Sequence, residues 1–150
     1  MVQAFNITSE SRAAALLGGP KTLQLEGSCP LAWISAIRKG FPALALDSFE
    51  LNINATNTEL VQILGISRQA LERRWHKSIL STSDSERLLR VASVIVRAED
   101  AFDNFDKALI WMKEPNISLG GEAPISLLDT DIGTKLVVDV LGRIEHGVFA

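Results

Sequence analysis

The tightest constraint on this chain comes from residues 88 to 109, where Leu88, Leu89, Ala92, Ile95, Ala98, Phe102, Phe105 and Leu109 recur every three or four positions. At 3.6 residues per turn that spacing lays apolar side chains along one stripe of a helix, whereas a strand needs strict alternation. The same rhythm runs through most of the sequence, Tyr is absent, and β-branched runs bounded by paired turns are scarce. An all-α fold follows, expected as an amino-terminal helical bundle with a helix-turn-helix, packed on a carboxyl-terminal helical domain.

Punctuation divides the chain. Thr8 or Ser9 is positioned to cap a first helix that stops at Gly18-Gly19-Pro20. Ser28 would cap a second helix opening on Pro30 and ending at Gly40, and Pro42 would start a third through Leu51. Asn54 to Asn57 forms a polar cluster before Glu59–Leu64, Gly65 ends that short helix, and Ser67 can cap the next. After Ser81 to Ser85 one long helix is expected to run to about Trp111, with Pro115 behind it. Pro124 to Leu128 then reads as a short helix and Ile132 to about Glu145 as the last, with Leu136, Val137, Val140, Leu141 and Ile144 inward.

A chain of 150 residues, 47% hydrophobic, can bury one sizeable core, as one compact domain or two small helical ones. Cys29, the single cysteine, cannot form an internal disulfide and has no cationic or His neighbour in sequence; burial is its expected fate and a cytoplasmic protein the simplest reading. No apolar run approaches the roughly 20 residues of a membrane span. The Ala13–Leu17 run follows Glu10 and lacks a basic leader, so no secretory signal and no membrane partner are expected. Net charge is −3, but residues 67–97 carry 7 basic and 3 acidic groups while residues 98–150 carry 4 and 10. A positive centre beside an acidic tail region suits a protein that meets a polyanion with one surface and something else with the other.

The positive centre coincides with the candidate helix-turn-helix, residues 57 to 75. In that motif the second helix enters the major groove with its first residues facing base edges, so the turn must be tight and the helix start polar. Gly65-Ile66-Ser67 supplies both, with Leu60, Leu64, Ile66 and Leu71 as the small core. Ser67, Arg68, Gln69, Glu72 and Arg73 then face outward. Arg68 and Arg73 suit guanine edges or phosphates, Gln69 suits adenine and Glu72 cytosine. Lys77, with Arg74, Arg87 and Arg90, is expected on phosphates. Val61 stands where a small residue usually lets the helices approach, and Arg74 where an apolar one is common; Trp75 can take over that packing.

The last forty residues carry a more specific signal. Trp111-Met112-Lys113-Glu114-Pro115-Asn116, then Leu119-Gly120-Gly121-Glu122-Ala123-Pro124, then Gly142-Arg143-Ile144-Glu145-His146-Gly147-Val148-Phe149-Ala150 together resemble the toxin-binding domain of the Xre/MbcA/ParS antitoxin family. The resemblance extends upstream through Gly65–Arg74 and Ser85–Arg90 and covers roughly residues 55 to 150. It implies an Xre-like DNA-binding region over residues 1–82, a toxin-binding domain over 83–150, and a non-enzymatic antitoxin of a RES-domain toxin that consumes or transfers from NAD. It also implies inhibition by occlusion, the last helix and chain end covering the toxin's cleft. Trp111, Arg143, Glu145, His146, Gly147, Val148, Phe149 and Ala150 are the toxin-binding candidates on that ground. Operator DNA and a second copy of the chain are the other expected partners, the latter through Trp33, Ile34, Ile37 and Leu44.

Other chemistry is set aside. Glu99, Asp100, Asp103 and Asp106 form an acidic stripe at helical spacing, read as a solvated face rather than a cation site. His76 and His146 lack zinc-spaced partners, and Gly120-Gly121 lacks the residues that would cradle a phosphate. No catalytic, metal or cofactor site is expected. The rival reading is a stand-alone dimeric regulator whose carboxyl-terminal domain dimerises or senses a ligand.

Overall fold

The computed structural model describes residues 7–27, 29–65, 68–72 and 79–147, with the side chains of Ile7, Thr8 and Ala70 excepted. Among the described residues there is helix and no strand. The helices are α1 (Ile7–Leu16), α2 (Pro20–Leu23), α3 (Pro30–Lys39), α4 (Ala43–Ile53), α5 (Asn57–Leu64), α6 (Arg68–Glu72), α7 (Thr82–Phe102), α8 (Phe105–Lys113) and α9 (Asp131–Glu145). Two 3₁₀ turns, Ile117–Leu119 and Pro124–Leu127, lie between α8 and α9.

α7 is the axis of the structure. It packs against α1, α3, α5, α8 and α9, and Leu88, Val91, Ala92, Ile95 and Ala98 on its inner face are fully buried. Its start is set by Ser81, whose hydroxyl accepts the Asp84 N–H at 3.0 Å and satisfies one of the four amides that a helix N-terminus leaves unpaired. One turn later Ser85, buried and polar, accepts the Phe41 N–H and donates to the Ser81 carbonyl, both at 2.8 Å. Leu80 N–H bonds to Phe41 O at 2.7 Å, so the α3–α4 corner is laced to the start of α7. Gly40 permits the approach: a Cβ there would sit 2.1 Å from the Leu80 carbonyl oxygen.

Several expectations are corrected. α1 is already helical at Ile7, which places Thr8 and Ser9 inside it instead of at its cap. Cys29 occupies the cap position of α3, without a side-chain cap bond, and is exposed; Ser28 lies outside the described residues. The single long helix is two. Asp103 takes a left-handed conformation (φ 53°), and Asn104 caps α8 by accepting the Lys107 N–H at 2.9 Å. Asn and Asp tolerate that conformation and compete locally for backbone donors, so the apolar rhythm continues across a chain reversal. Phe102 consequently meets Trp111, ring centroids 5.7 Å apart. The acidic stripe is broken with it: Arg12 of α1 bonds both Glu99 and Asp100. Among the described residues no cluster of three His, Cys, Asp or Glu side chains is arranged to hold a metal, and no helix is long and apolar enough to cross a membrane.

Candidate functional site

The helix-turn-helix begins at Thr56, which caps α5 by accepting the Glu59 N–H at 3.2 Å. Gly65 closes α5 in the left-handed conformation (φ 63°), its N–H returning to Val61 O at 3.0 Å. That is the conformation glycine adopts without penalty. Leu60, Leu64 and Leu71 are buried as expected, and Ile63 joins them; the fourth expected core residue, Ile66, lies outside the described residues. Val61, the departure from a small residue, is half-buried and packs against the core. On α6 the side chains of Arg68, Gln69 and Glu72 are all exposed, leaving three polar groups of different hydrogen-bonding character on one five-residue helix. Ser67, Arg73 and Lys77, with Arg74, Trp75 and His76, lie outside the described residues.

Two arginines assigned to phosphate from sequence have protein partners. Arg87 Nη1 donates to the Leu64 carbonyl at 2.7 Å, at the end of α5. Arg90 is 3.7 Å from Glu86 and 3.4 Å from the Leu128 carbonyl. A third cation, not singled out from sequence, holds the other end of the helix pair. Lys113 Nζ donates to Ile53 O at 3.0 Å and Asn54 O at 3.3 Å and lies 3.3 Å from Glu59 Oε2. These contacts span a cleft of about 120 Å³ between α5 and the loop after α8, with Gln62, Ile63, Ala123, Ile125 and Ser126 on its walls.

The carboxyl-terminal candidates separate into two groups. Trp111 is half-buried against Phe102, so much of its ring serves internal packing. Arg143, Glu145, His146 and Gly147 are exposed at the end of α9. Glu145 lies 3.8 Å from Arg97 of α7, and Gly147 (φ 72°) ends the helix with its N–H on Ile144 O at 3.1 Å. Val148, Phe149 and Ala150 lie outside the described residues.

α9 carries a second feature that periodicity alone misassigned. Leu136, expected inward, is 50% exposed, and Ile132 is 75% exposed. With Asp139 and Arg143, both at least partly exposed, they follow the 4-3-4 spacing that puts side chains on one face. The buried face is instead Gly133, Val137, Val140 and Leu141. Ile110 on α8 and Ile117 on the first 3₁₀ turn are further exposed isoleucines of this half. The signal was present as two apolar stripes on one helix, of which a soluble domain core needs one.

At the amino-terminal end Trp33 is buried in the core and Ile37 is half-buried, so neither is free for a second copy in the way the sequence suggested. Leu31, Ile34, Leu44 and Leu51 are the exposed apolar side chains there.

Two family models match the chain. Residues 32–93 match the antitoxin Xre-like helix-turn-helix domain, and residues 97–147 match the antitoxin Xre/MbcA/ParS C-terminal toxin-binding domain. The chain is 33% identical over 151 aligned positions to an antitoxin Xre of Yersinia enterocolitica, covering 99% of this chain and 100% of that protein. It is 33% identical to an antitoxin Xre of Photorhabdus laumondii, over 75% of this chain and 77% of the relative. It is 30% identical to a Prs ADP-ribosylating antitoxin of a Sphingobium species, over 81% and 82%.

Proposed function

Because the chain belongs to the antitoxin Xre family, we propose that it neutralises a RES-domain toxin that degrades NAD or transfers ADP-ribose from it, by covering that toxin's active site, and that it represses its own operator. The observation that carries the first half is the outer face of α9. Ile132 and Leu136 are left in water, on one face with Asp139 and Arg143, within the segment matched to a toxin-binding domain. Leaving two large aliphatic side chains exposed on a helix whose other face already fills the core costs solvation unless a partner removes them from water. Arg143 supplies a cation on the same face, and Arg is enriched at protein interfaces and among their hot spots. The relative named for ADP-ribosylation supports a partner acting on NAD. The candidate chain end, residues 147–150, follows in sequence, and Gly147 (φ 72°) ends the helix.

The second half rests on α6, where Arg68, Gln69 and Glu72 are exposed beyond a tight glycine turn. A single short helix offers few base contacts, so a dimer on paired half-sites is part of the proposal. Leu31, Ile34, Leu44 and Leu51 provide exposed apolar surface for it.

The test is NAD consumption by the purified neighbouring-gene toxin, titrated with full-length chain, a chain lacking residues 147–150, and Arg143→Ala. Loss of inhibition by the last two, with Arg68→Ala still inhibiting, is the expected result. Inhibition unchanged in both would move the inhibitory surface off the end of α9. On DNA, Arg68→Ala should cost ~1–3 kcal/mol on the operator and relax sequence preference.

A further inference from the structure

Arg87 has the charge and the position in sequence of a phosphate-binding residue, yet its geometry points elsewhere. It lies on α7, 23 residues beyond Leu64, and its Nη1 donates to the Leu64 carbonyl at 2.7 Å. That oxygen is the final carbonyl of α5, beyond the reach of the helix's own N–H donors and at the negative end of the helix dipole. A guanidinium placed there satisfies an acceptor and opposes that partial charge together. Gly65 is shaped around it: a Cβ at residue 65 would sit 3.0 Å from Arg87 Nη1. A side chain there would make the guanidinium give by a few tenths of an ångström, and the left-handed turn itself favours glycine. The helix that follows this turn is α6, which bears Arg68 and Gln69.

Resting on the DNA reading proposed above, we propose that Arg87 is a positioning residue for the DNA reader: it clamps the end of α5 from outside the helix pair and so sets where α6 starts, without touching phosphate. A phosphate-bound arginine and a positioning arginine leave different marks. Removing the first weakens operator and random DNA alike and flattens the salt dependence, by about 0.9 in the log–log slope for each phosphate no longer neutralised. Removing the second loosens the turn, so operator binding falls while the number of phosphates met is unchanged.

The experiment measures affinity for operator and for random DNA across a salt series, using wild type, Arg87→Ala, Arg87→Lys and Lys135→Ala, the last a charge control on α9. Arg87→Ala is expected to weaken operator binding about tenfold or more, the scale of a missing charge-assisted hydrogen bond, with random DNA little changed and the salt slope preserved. Arg87→Lys keeps a cationic donor and should recover part of the loss. Lys135→Ala should match wild type. A slope reduced by about one in Arg87→Ala, with operator and random DNA falling together, overturns the proposal. If Arg87→Ala no longer inhibits the toxin, its fold is lost, and Arg87→Lys decides by the same two readouts. Absence of operator binding by wild type would instead remove the DNA reading, and this inference with it.

Discussion

Two glycines nine residues apart on α9 should respond in opposite directions to the same substitution. Gly133 lies in the first turn of α9, buried beneath the 3₁₀ turn Pro124–Leu127. A Cβ built there falls 1.9 Å from the Leu127 carbonyl oxygen and 2.9 Å from both the Leu127 carbonyl carbon and Thr130 Oγ1. The first of these is backbone, more than 1 Å inside the 3.0 Å that real Cβ contacts essentially never breach, so α9 and the turn must part. The Thr130 side chain also caps α9 by accepting the Gly133 N–H at 2.9 Å, and the same displacement would loosen that bond. Overpacking costs about 1–3 kcal/mol and a weakened cap about 1 kcal/mol, against about 1 kcal/mol gained from replacing glycine by alanine in a helix.

Gly133→Ala should therefore be destabilising by about 1–3 kcal/mol, which at about 2–4 °C per kcal/mol for a chain of this size lowers Tm by about 2–12 °C. At Gly142 the nearest atom to a new Cβ is Arg97 Nη2, 3.9 Å away in ordinary contact, and the backbone is not left-handed. Gly142→Ala should keep the helix-propensity gain of about 0.5–1 kcal/mol and raise Tm by about 1–4 °C. Calorimetry or circular dichroism on the two single variants gives the answer. Gly133→Ala melting at or above wild type would refute the close packing of Gly133 on Leu127, and Gly142→Ala melting lower would refute the propensity gain at an uncrowded helical position.

What was legible in the sequence is what local physics dictates. Gly65 ending α5 and the buried set Leu60, Leu64 and Leu71 follow from capping chemistry and periodicity, whereas α7 starts right after Ser81 and not after Ser85 as expected. Misreadings arose where a tertiary partner decides between choices that are locally equal. Asp103 and Asn104 sit in an unbroken apolar rhythm, and only packing of α8 against α7 makes a reversal cheaper than continuation. Gly133 falls inside the expected last helix, but that its missing side chain admits the Leu127 carbonyl is set by the tertiary fold. On α9 two stripes compete, and the one containing Gly133 and Val137 wins the core because it can approach that turn closely. Arg87 and Lys113 are invisible in the same way. A cation in sequence advertises charge, but that each meets the carbonyl end of another helix is set by how α7 and α8 cross α4 and α5.

Lys113→Met should lower the urea midpoint, by about 1–3 kcal/mol in stability, because it leaves the Ile53 and Asn54 carbonyls and Glu59 without their cation; an unchanged midpoint would show that water replaces it without loss. Leu136→Arg should abolish toxin inhibition at unchanged Tm, since the side chain is exposed in the free chain; retained inhibition in the NAD assay would take the α9 face out of the interface. The last prediction concerns Glu10, which accepts a hydrogen bond from Ser93 of α7 at 3.5 Å and whose pKa is raised by burial, the hydrogen bond opposing the shift. A carboxyl raised in the folded state binds its proton more tightly there than in the unfolded chain, so stability falls as pH rises from the unfolded value, near 4.5, through the folded one. Above that window the ionised group opposes folding, and below it the penalty is gone. Glu10→Gln keeps an acceptor for Ser93 and removes the titration, so it should be more stable than wild type at pH 7, with the gap closing as pH falls toward 4. Paired denaturant melts across that range measure it, and a gap that widens in acid would mean the folded state lowers this pKa instead.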